Sequence, residues 1–134
     1  MTQFHLKIVT PDGVRFDGMA EQLTVRTVNG DLGILARHIN CVAPLGLGQA
    51  SVTVDGKKRL GACIGGIVSV VEGQVTVVAT TFEWAEDIDR ERAHTSEENA
   101  RKVLTQKDAS ATQLELASAK LKRALIRQSV FDRK

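Results

Sequence analysis

The fold is decided by residues 52–78, which read VTVDGKKRLGACIGGIVSVVEGQVTVV. Two short turn signals, Asp55-Gly56 and Glu72-Gly73, each lie between runs that are typical of strands. An Asp-Gly pair between such runs is a strong hairpin signal, because both turn positions need a positive φ that these residues tolerate. The stretch therefore predicts two β-hairpins in succession.

The chain before this stretch carries the same kind of pattern. Residues 4–8 and 23–27 alternate between apolar and polar side chains, and the first run is followed by Pro11-Asp12-Gly13. Proline presets φ and glycine accepts a left-handed conformation, so this tripeptide predicts a turn. Many short strands separated by turns indicate a β-sandwich or barrel. We predict such a domain over residues 1–86.

The last third of the chain contains no glycine or proline and is rich in good helix formers. Asp89 suits a helix start, where a carboxylate meets free backbone amides. A polar break at residues 105–108 is followed by Ser110 and Gln113, which fit a capping box for a second helix. Because the break is short, residues 87–134 are predicted to form an antiparallel two-helix hairpin.

The apolar stripes of these two helices are narrow and rich in alanine. Their members are Ala93, Ala100, Val103 and Leu104 in the first helix, and Leu114, Ala117, Leu121, Ala124 and Leu125 in the second. At about 25 cal/mol per Å² of buried apolar area, a hairpin with so few large side chains is marginal alone. It must dock on the sandwich, on a ligand or on a partner. A marginal appendage suits a switch, although a purely structural appendage would have the same pattern.

Composition narrows the class of protein. The chain has 134 residues, 43% of them hydrophobic and 25% charged, as in a soluble domain with one core. Its net charge of +2 is too small to indicate a nucleic-acid partner. The longest mainly apolar stretch, residues 67–71, is far shorter than the roughly 20 residues of a membrane-spanning helix. The amino terminus lacks a signal-peptide pattern, so we expect the protein to stay in the cytoplasm.

No pattern in the sequence indicates catalysis. His5, His38 and His94 are far apart and lack partners at metal-ligand spacing, so no metal site is predicted. Cys41 and Cys63 are expected to be free, unactivated thiols, since a cytoplasm is reducing and we see no neighbouring histidine or lysine. No nucleophile elbow or phosphate loop is present. We therefore expect a protein that is not an enzyme.

Positive charge along the second helix indicates an anionic partner. Its basic residues are Lys120, Lys122, Arg123 and Arg127. Arg123 and Arg127 are four residues apart and so share a face, where like charges repel unless an anion neutralises them. In an antiparallel hairpin, Arg92 of the segment IDRERA would lie near both and complete a triphosphate clamp. The alternative is that residues 88–93 are only a solvated first helical turn, which the pattern alone favours.

Five segments together resemble the epsilon subunit of bacterial F-type, proton-translocating ATP synthases over nearly the whole chain. They are residues 4–11, 30–38, 65–70, 75–78 and 122–127. Each segment is a weak match, but their order and spacing are specific. The resemblance implies an antiparallel β-sandwich of about ten strands followed by a helical hairpin. It also implies a non-catalytic regulatory subunit, peripheral to the cytoplasmic face of the bacterial cell membrane.

The same resemblance implies partners and a mode of regulation. The sandwich would bind the gamma subunit and the rotor c-ring of the central stalk. The hairpin would inhibit ATP hydrolysis through contacts with the catalytic beta subunits. The implied inhibitory contacts are Lys120, Lys122, Arg123 and Arg127.

The segment Ile88-Asp89-x-x-Arg92-Ala93 is similar to the ATP-binding signature of Bacillus-type members of that family. In those members ATP, with or without Mg, is bound as a regulatory ligand and is not hydrolysed. Bound ATP would favour the hairpin folded down on the sandwich. The implied ATP-binding positions are Glu83, Ile88, Asp89, Arg92, Ala93, Arg123 and Arg127.

Three positions depart from the family pattern. Ala36 and Asn40 stand where proline is usual or frequent, and Asn99 stands where some ATP-binding members have arginine. Two other interpretations therefore stay open beside the regulatory one. One is a structural adaptor sandwich whose helical hairpin binds no nucleotide, and the other is a nucleic-acid-binding module that uses its basic last helix.

Overall fold

The structure is a computed structural model that describes residues 2–134, as eight strands followed by two helices. The strands are β1 (Phe4–Thr10), β2 (Gly13–Ala20), β3 (Gln22–Thr27), β4 (Gly30–Leu35), β5 (Cys41–Pro44), β6 (Leu47–Val54), β7 (Lys57–Val71) and β8 (Gln74–Trp84). A single 3-10 turn, Ala85–Asp87, leads to the helices α1 (Arg90–Leu104) and α2 (Ala111–Arg133). The predicted β-sandwich followed by a helical hairpin is confirmed.

Strand pairing divides the sandwich into two layers. One layer consists of β5, the second half of β7, the first half of β8, β1 and β2. The other consists of the second half of β8, the first half of β7, β6, β3 and β4. Because β7 and β8 contribute to both layers, eight strands supply about the ten segments that the family resemblance implied. All pairs are antiparallel except β1 with β8, which is parallel.

Both predicted hairpin turns are present. Val54 pairs with Lys57 across Asp55-Gly56, and Val71 pairs with Gln74 across Glu72-Gly73. All four turn residues have positive φ, between 52° and 80°. Positive φ at both central positions matches the right-handed twist of the flanking strands, which explains why these dipeptides form the turns.

The strand β7 passes from one layer to the other at Gly65-Gly66. Both glycines have positive φ, 69° and 113°. Before them Cys63 faces the core, and after them Val68 and Val70 do, so the inward-facing set changes phase at this point. The bend therefore lets one strand bury its apolar side chains in both halves of the sandwich.

One apolar core lies between the two layers. Its largest fully buried side chains within the sandwich are Leu6, Ile8, Leu23, Val25, Ile34, Val52, Val68, Val70, Val75 and Val77. Every residue of this core precedes the 3-10 turn. The helices therefore add nothing to the main core, and they pack on its outside.

The structure accounts for two departures from the family pattern. The Asn40 side-chain carbonyl accepts a hydrogen bond of 2.8 Å from the Glu72 backbone N–H, which ties the loop before β5 to the β7–β8 turn. Ala36 packs against the main core. A side-chain tether and a core contact thus constrain the loop where proline would otherwise restrict the backbone.

The two cysteines are free thiols in different surroundings. Cys63 is buried, and burial raises the pKa of its thiol to about 12. The expectation that neither cysteine has a histidine neighbour was wrong, since His38 Nδ1 lies 4.0 Å from Cys41 Sγ. The same Nδ1 lies 2.8 Å from the Ile39 carbonyl oxygen, so its proton is directed to that oxygen and it is a poor base for the thiol.

Each helix begins where the sequence predicts. The Asp89 side chain accepts a hydrogen bond from the Arg92 backbone N–H at 3.0 Å and caps α1. Ser110 and Gln113 form the complete capping box of α2. The helices are antiparallel, since Arg90 at the start of α1 pairs with Asp132 at the end of α2. Neither helix, within residues 2–134, is long and apolar enough to cross a membrane.

The bend in β7 yields a first prediction. A Cβ at Gly66 would overlap the Val78 carbonyl oxygen, and its φ of 113° is unfavourable for any L side chain. We expect Gly66→Ala to lower the free energy of unfolding by about 3 kcal/mol or more, as measured by urea denaturation. The matched control is Gly33→Ala, whose Cβ would meet only Thr24 Oγ1 at 4.0 Å. If the two variants lose similar stability, the bend does not need glycine.

Candidate functional site at the junction of sandwich and hairpin

The hairpin is folded down on the sandwich in this structure. Helix α2 contacts β6, β7 and the 3-10 turn, and α1 packs mainly on α2. The contact is a small apolar cluster, which we call the docking cluster. It consists of Leu60, Ala62, Ala85, Ile88, Ile126, Val130 and Phe131. Because the α2 members lie in its last two turns, the hairpin is held by one end of one helix.

Polar contacts surround the docking cluster. Arg127 Nε donates a hydrogen bond of 2.7 Å to Glu83 Oε1, joining α2 to the last strand. Arg133 donates to the Gln49 side chain at 3.2 Å. The side chains of Arg127 and Glu83 are 26% and 37% exposed, so this pair contributes only about 1 kcal/mol or less.

A cavity of about 510 Å³ lies beside the Glu83–Arg127 pair. We call it the junction cavity. One wall comes from the sandwich, with Asp12, Arg15, Thr81 and Glu83, and the other from the residues around the start of α1 and from α2. The hairpin members are Asp87, Asp89, Arg92, Ala93, Ser96 and Arg127. The cavity therefore has both walls only when the hairpin is folded down.

The structure brings five of the seven predicted ATP-binding residues to the junction cavity. These are Glu83, Asp89, Arg92, Ala93 and Arg127. Ile88 is adjacent, but its side chain is buried in the docking cluster and its backbone N–H donates to the Ala85 carbonyl at 3.3 Å. Ile88 therefore positions the start of α1 by packing.

Arg123 is not brought to the junction cavity. It lines, with Lys122, a separate groove of about 390 Å³ between α2 and the strand segments at Gly46 and Gly65. Arg123 precedes Arg127 by a full turn, about 6 Å along the helix, and that rise moves its side chain past the end of the cavity. The expected cluster of Arg92, Arg123 and Arg127 is thus reduced in this structure to Arg92 and Arg127.

The charges of the junction cavity are mixed. Asp12, Glu83, Asp87 and Asp89 supply carboxylates, and three arginines lie among them. Arg127 is paired with Glu83, and Arg15 lies 4.0 Å from Asp12. Arg92 has no carboxylate within 4.0 Å among residues 2–134. Carboxylates accept hydrogen bonds from amino and hydroxyl groups, and an unpaired guanidinium attracts an anion. The cavity therefore suits a ligand that has amino or hydroxyl groups together with an anionic group.

Sequence reasoning missed part of this site. Asp12 and Arg15 lie about 70 residues before the hairpin, in the β1–β2 region, and belong to no ligand-binding motif. The Trp84 indole N–H donates to the Arg15 carbonyl at 3.1 Å and holds that region against the end of β8. Thr81 lines the same wall, and its hydroxyl is the buried side-chain polar atom without a hydrogen-bond partner in the described part of the chain. Only the strand pairing reveals these neighbours.

A second cavity, of about 630 Å³, runs between the two helices. We call it the interhelical groove. It shares Arg92 and Ser96 with the junction cavity and continues past Asn99 and Ala100 towards the loop between the helices. Lys120 lines it from α2. The two cavities are therefore continuous at Arg92.

An ion pair and a hydrogen bond join the two helices of the hairpin. Arg90 contacts Asp132 with two hydrogen bonds, of 2.8 and 3.2 Å, and these lower the pKa of the Asp132 carboxyl. The Gln128 amide donates to Glu97 at 2.8 Å, and this bond, with that from Arg101, lowers the pKa of Glu97. No group of three or more histidine, cysteine, aspartate or glutamate side chains in residues 2–134 is arranged to hold a metal ion.

Comparison with known proteins identifies the family. A family model described as ATP synthase, Delta/Epsilon chain, beta-sandwich domain matches residues 3–85. The ATP synthase epsilon chain of Halalkalibacterium halodurans is 40% identical over 99% of this chain and 100% of its own length. The chain belongs to the ATP synthase epsilon chain family. The Bacillus velezensis epsilon chain is 41% identical over 97% of this chain and 98% of its own length.

Solved structures of ATP synthases contain chains with the same fold as this epsilon-family chain. One is in the OSCP/F1/c-ring structure of the Euglena gracilis mitochondrial ATP synthase, with a TM-score of 0.71 and 25% identity, covering 98% of this chain and 79% of that one. Another is in the central stalk/c-ring structure from Tetrahymena thermophila, with a TM-score of 0.62 and 97% of both chains covered. At 14% identity, that second likeness shows the fold alone.

The ion pairs of the hairpin predict how its stability depends on pH. The pKa values of Glu97 and Asp132 lie below their ordinary values of 4.5 and 3.8, so both pairs stabilise the folded hairpin fully above those values. Their contribution is lost as pH falls through the lowered pKa values. We expect helix melting, followed by circular dichroism, to shift to lower temperature below about pH 4.5. A Glu97→Gln, Asp132→Asn variant should lose this part of the pH dependence, and an unchanged dependence would contradict the assignment.

Proposed function

We propose that this chain is a non-catalytic regulatory subunit of the central stalk of an F-type, proton-translocating ATP synthase. In the proposal the sandwich binds the gamma subunit and the rotor c-ring, and the hairpin inhibits ATP hydrolysis when it leaves the sandwich. ATP at the junction cavity is bound without hydrolysis and favours the folded-down hairpin. The subunit would be peripheral to the cytoplasmic face of the bacterial cell membrane. Membership of the epsilon family over the full chain supports this assignment.

An exposed apolar row on the sandwich supports the assembly role. Pro44, Ile67, Val78, Val9 and Val14 are successive cross-strand partners from β5 to β2. Ile67, Val78 and Val14 are about half exposed, at 49%, 50% and 57%. Contiguous apolar surface of this kind is typical of protein interfaces. The row lies on the opposite layer from the docked hairpin, so a stalk partner could bind there while the hairpin moves.

One observation carries the switch proposal: the junction cavity takes its walls from both the sandwich and the hairpin. A ligand that contacts both walls stabilises only the docked state. The docking cluster has few large side chains, so docking is worth on the order of a few kcal/mol. A ligand at a hundredfold excess over its Kd adds about 2.7 kcal/mol to the state that binds it. The two quantities are comparable, so ATP concentration can decide the position of the hairpin.

The cavity chemistry agrees with a nucleotide. Asp89 has one carboxylate oxygen engaged in capping α1 and a second oxygen for a ribose or adenine donor. Arg92 would bind the phosphates, since its guanidinium has no carboxylate partner in residues 2–134. Arg127 would join it only after exchanging Glu83 for phosphate. Glu83 would then be free to accept a hydrogen bond from the adenosine.

The first test of the proposal is ATP titration of the full chain by calorimetry, with GTP as the control for base selectivity. Arg92→Ala should weaken ATP binding by about 1.5–3 kcal/mol, as expected for the loss of a charge-assisted hydrogen bond. Near-normal affinity in this variant would remove Arg92 from the site. Lys102→Ala, an exposed cation of the same helix outside both cavities, should bind ATP normally. Absence of ATP binding at millimolar concentration would leave the structural adaptor as the better interpretation.

The inhibitory role of the second helix has a separate test. Of the four candidate residues, Lys122 and Arg123 are the two that neither line the interhelical groove nor pair with Glu83. We expect the Lys122→Ala, Arg123→Ala variant to raise ATP hydrolysis by the assembled complex roughly two- to fivefold, because each exposed ion pair contributes about 0–1 kcal/mol. The Lys57→Ala, Lys58→Ala variant removes the same charge from the start of β7 and should leave hydrolysis unchanged. Unchanged hydrolysis in the first variant would exclude these contacts.

A further inference from the structure

Arg59 lies at the point where the sandwich joins the hairpin, outside the docking cluster and the junction cavity. The last pair of the β7–β8 ladder is Gly61 with Trp84, and the chain then enters the 3-10 turn Ala85–Asp87. Arg59 Nη2 donates a hydrogen bond of 2.6 Å to Glu86 Oε1 within that turn. We infer that Arg59 is a positioning residue that clamps the turn to the sandwich and thereby favours the docked hairpin.

The indole ring of Trp84 orders the Arg59 side chain. The guanidinium carbon lies 3.8 Å from the centre of that ring, which is a cation–π contact. Trp84 is itself fixed, since it is buried and its ring meets those of Phe16 and Phe82 edge to face. A stacked guanidinium has already lost much of its rotamer freedom, so its hydrogen bond to the turn costs little further side-chain entropy.

The clamped turn also supplies part of the docking cluster. Ala85 begins the turn, Ile88 follows it, and both are buried in that cluster. Glu86 stands between them in the chain and is held from the sandwich by Arg59. A displacement of the turn would therefore remove two members of the cluster from their places. Within residues 2–134, no ion pair or side-chain hydrogen bond of Arg59 involves α1 or α2, so the arginine acts on docking through the turn.

The charge of Glu86 is attracted from both sides of the junction. The pKa of its carboxyl is lowered, first by the hydrogen bond from Arg59 and least by the charge of Lys134, which follows α2. The Lys134 ammonium lies 3.7 Å from the centre of the Phe131 ring, and Phe131 belongs to the docking cluster. The Glu86 carboxylate thus meets a cation of the sandwich and a cation at the end of the hairpin. The attraction to Lys134 requires that the hairpin is docked.

The test is hydrogen exchange of the full chain, followed by mass spectrometry, in wild type and in Arg59→Ala. We expect amides of residues 84–92 and 124–133 to exchange about three- to tenfold faster in the variant, because an ion pair and a cation–π contact are lost. Amides of β1 in the main core should exchange at the wild-type rate, which separates hairpin release from a general loss of stability. The matched control is Arg26→Ala, which removes an exposed arginine and its 3.0 Å ion pair with Asp31 and should leave the hairpin amides unchanged.

A second variant, Glu86→Gln, removes the charge from the turn and leaves the contact between Arg59 and Trp84 in place. It should also speed exchange of the hairpin amides, and it decides the matter if Arg59→Ala loosens the whole sandwich. The double variant Arg59→Ala, Glu86→Gln should exchange within about twofold of Arg59→Ala, because both changes break the same contact. The inference is wrong if the two single effects multiply in the double variant, or if Glu86→Gln leaves the hairpin amides at the wild-type rate.

The regulatory consequence of the clamp rests on the proposed function, and the assembled complex separates the two. If the released hairpin inhibits, Arg59→Ala should lower ATP hydrolysis by the complex about twofold or more. Faster exchange of the hairpin amides with unchanged hydrolysis would contradict the proposed inhibition and leave the clamp in place. Unchanged exchange in both single variants would overturn the clamp, whatever the rate of hydrolysis.

Discussion

The arrangement of the regulatory region depends on the burial of Ile126, Val130 and Phe131 of α2 against Ile88 and the alanines at positions 62 and 85. This contact places Arg127 beside Glu83 and sets the start of α1 at the end of β8. The hairpin wall of the junction cavity is held opposite the sandwich wall by this contact. Helix α1 packs mainly on α2, so its position relative to the strands is fixed through α2. A contact of seven side chains, three of them no larger than valine, thus places the hairpin residues of the candidate site against its sandwich residues.

The small size of the docking contact has a functional consequence. Most of the buried apolar side chains belong to the main core, which contains no residue of either helix. The sandwich therefore does not depend on the hairpin for its core, and the hairpin can leave without exposing that core. The polar pairs at the contact, Glu83–Arg127 and Arg133–Gln49, are partly exposed and add little free energy, but they fix the orientation of α2. Docking is thereby specific in geometry and weak in energy.

Local sequence signals predicted the turns and helix starts, whereas the pairing of strands that are distant in sequence determined the candidate site. The Asp55-Gly56 and Glu72-Gly73 turns, the Asp89 cap and the Ser110–Gln113 capping box each act within four residues, so the sequence could predict them. The parallel pairing of β1 with β8, which brings Asp12 and Arg15 to the junction cavity, involves residues about 70 positions apart and has no local signal. The position of Arg123 was missed for a similar reason. Helical spacing shows that Arg123 shares a face with Arg127. It does not show which part of the sandwich lies beneath each of the two residues.

Because the cavity has walls from both the sandwich and the hairpin, ligand binding and hairpin docking would each favour the other by the same factor. Arg92 belongs to α1 and Glu83 to the sandwich, so a ligand held by both adds its binding free energy to the docked state only. By linkage, a partner that favours the undocked hairpin lowers the affinity for the ligand by the same factor. In the docked state Arg127 already forms an ion pair with Glu83, and this pair orients the hairpin before any ligand binds. A phosphate that takes Arg127 from Glu83 replaces one exposed ion pair with another, so the exchange itself is nearly neutral. In the proposed switch, the free energy that shifts the hairpin would come from contacts that exist only with ligand, chiefly those of Arg92.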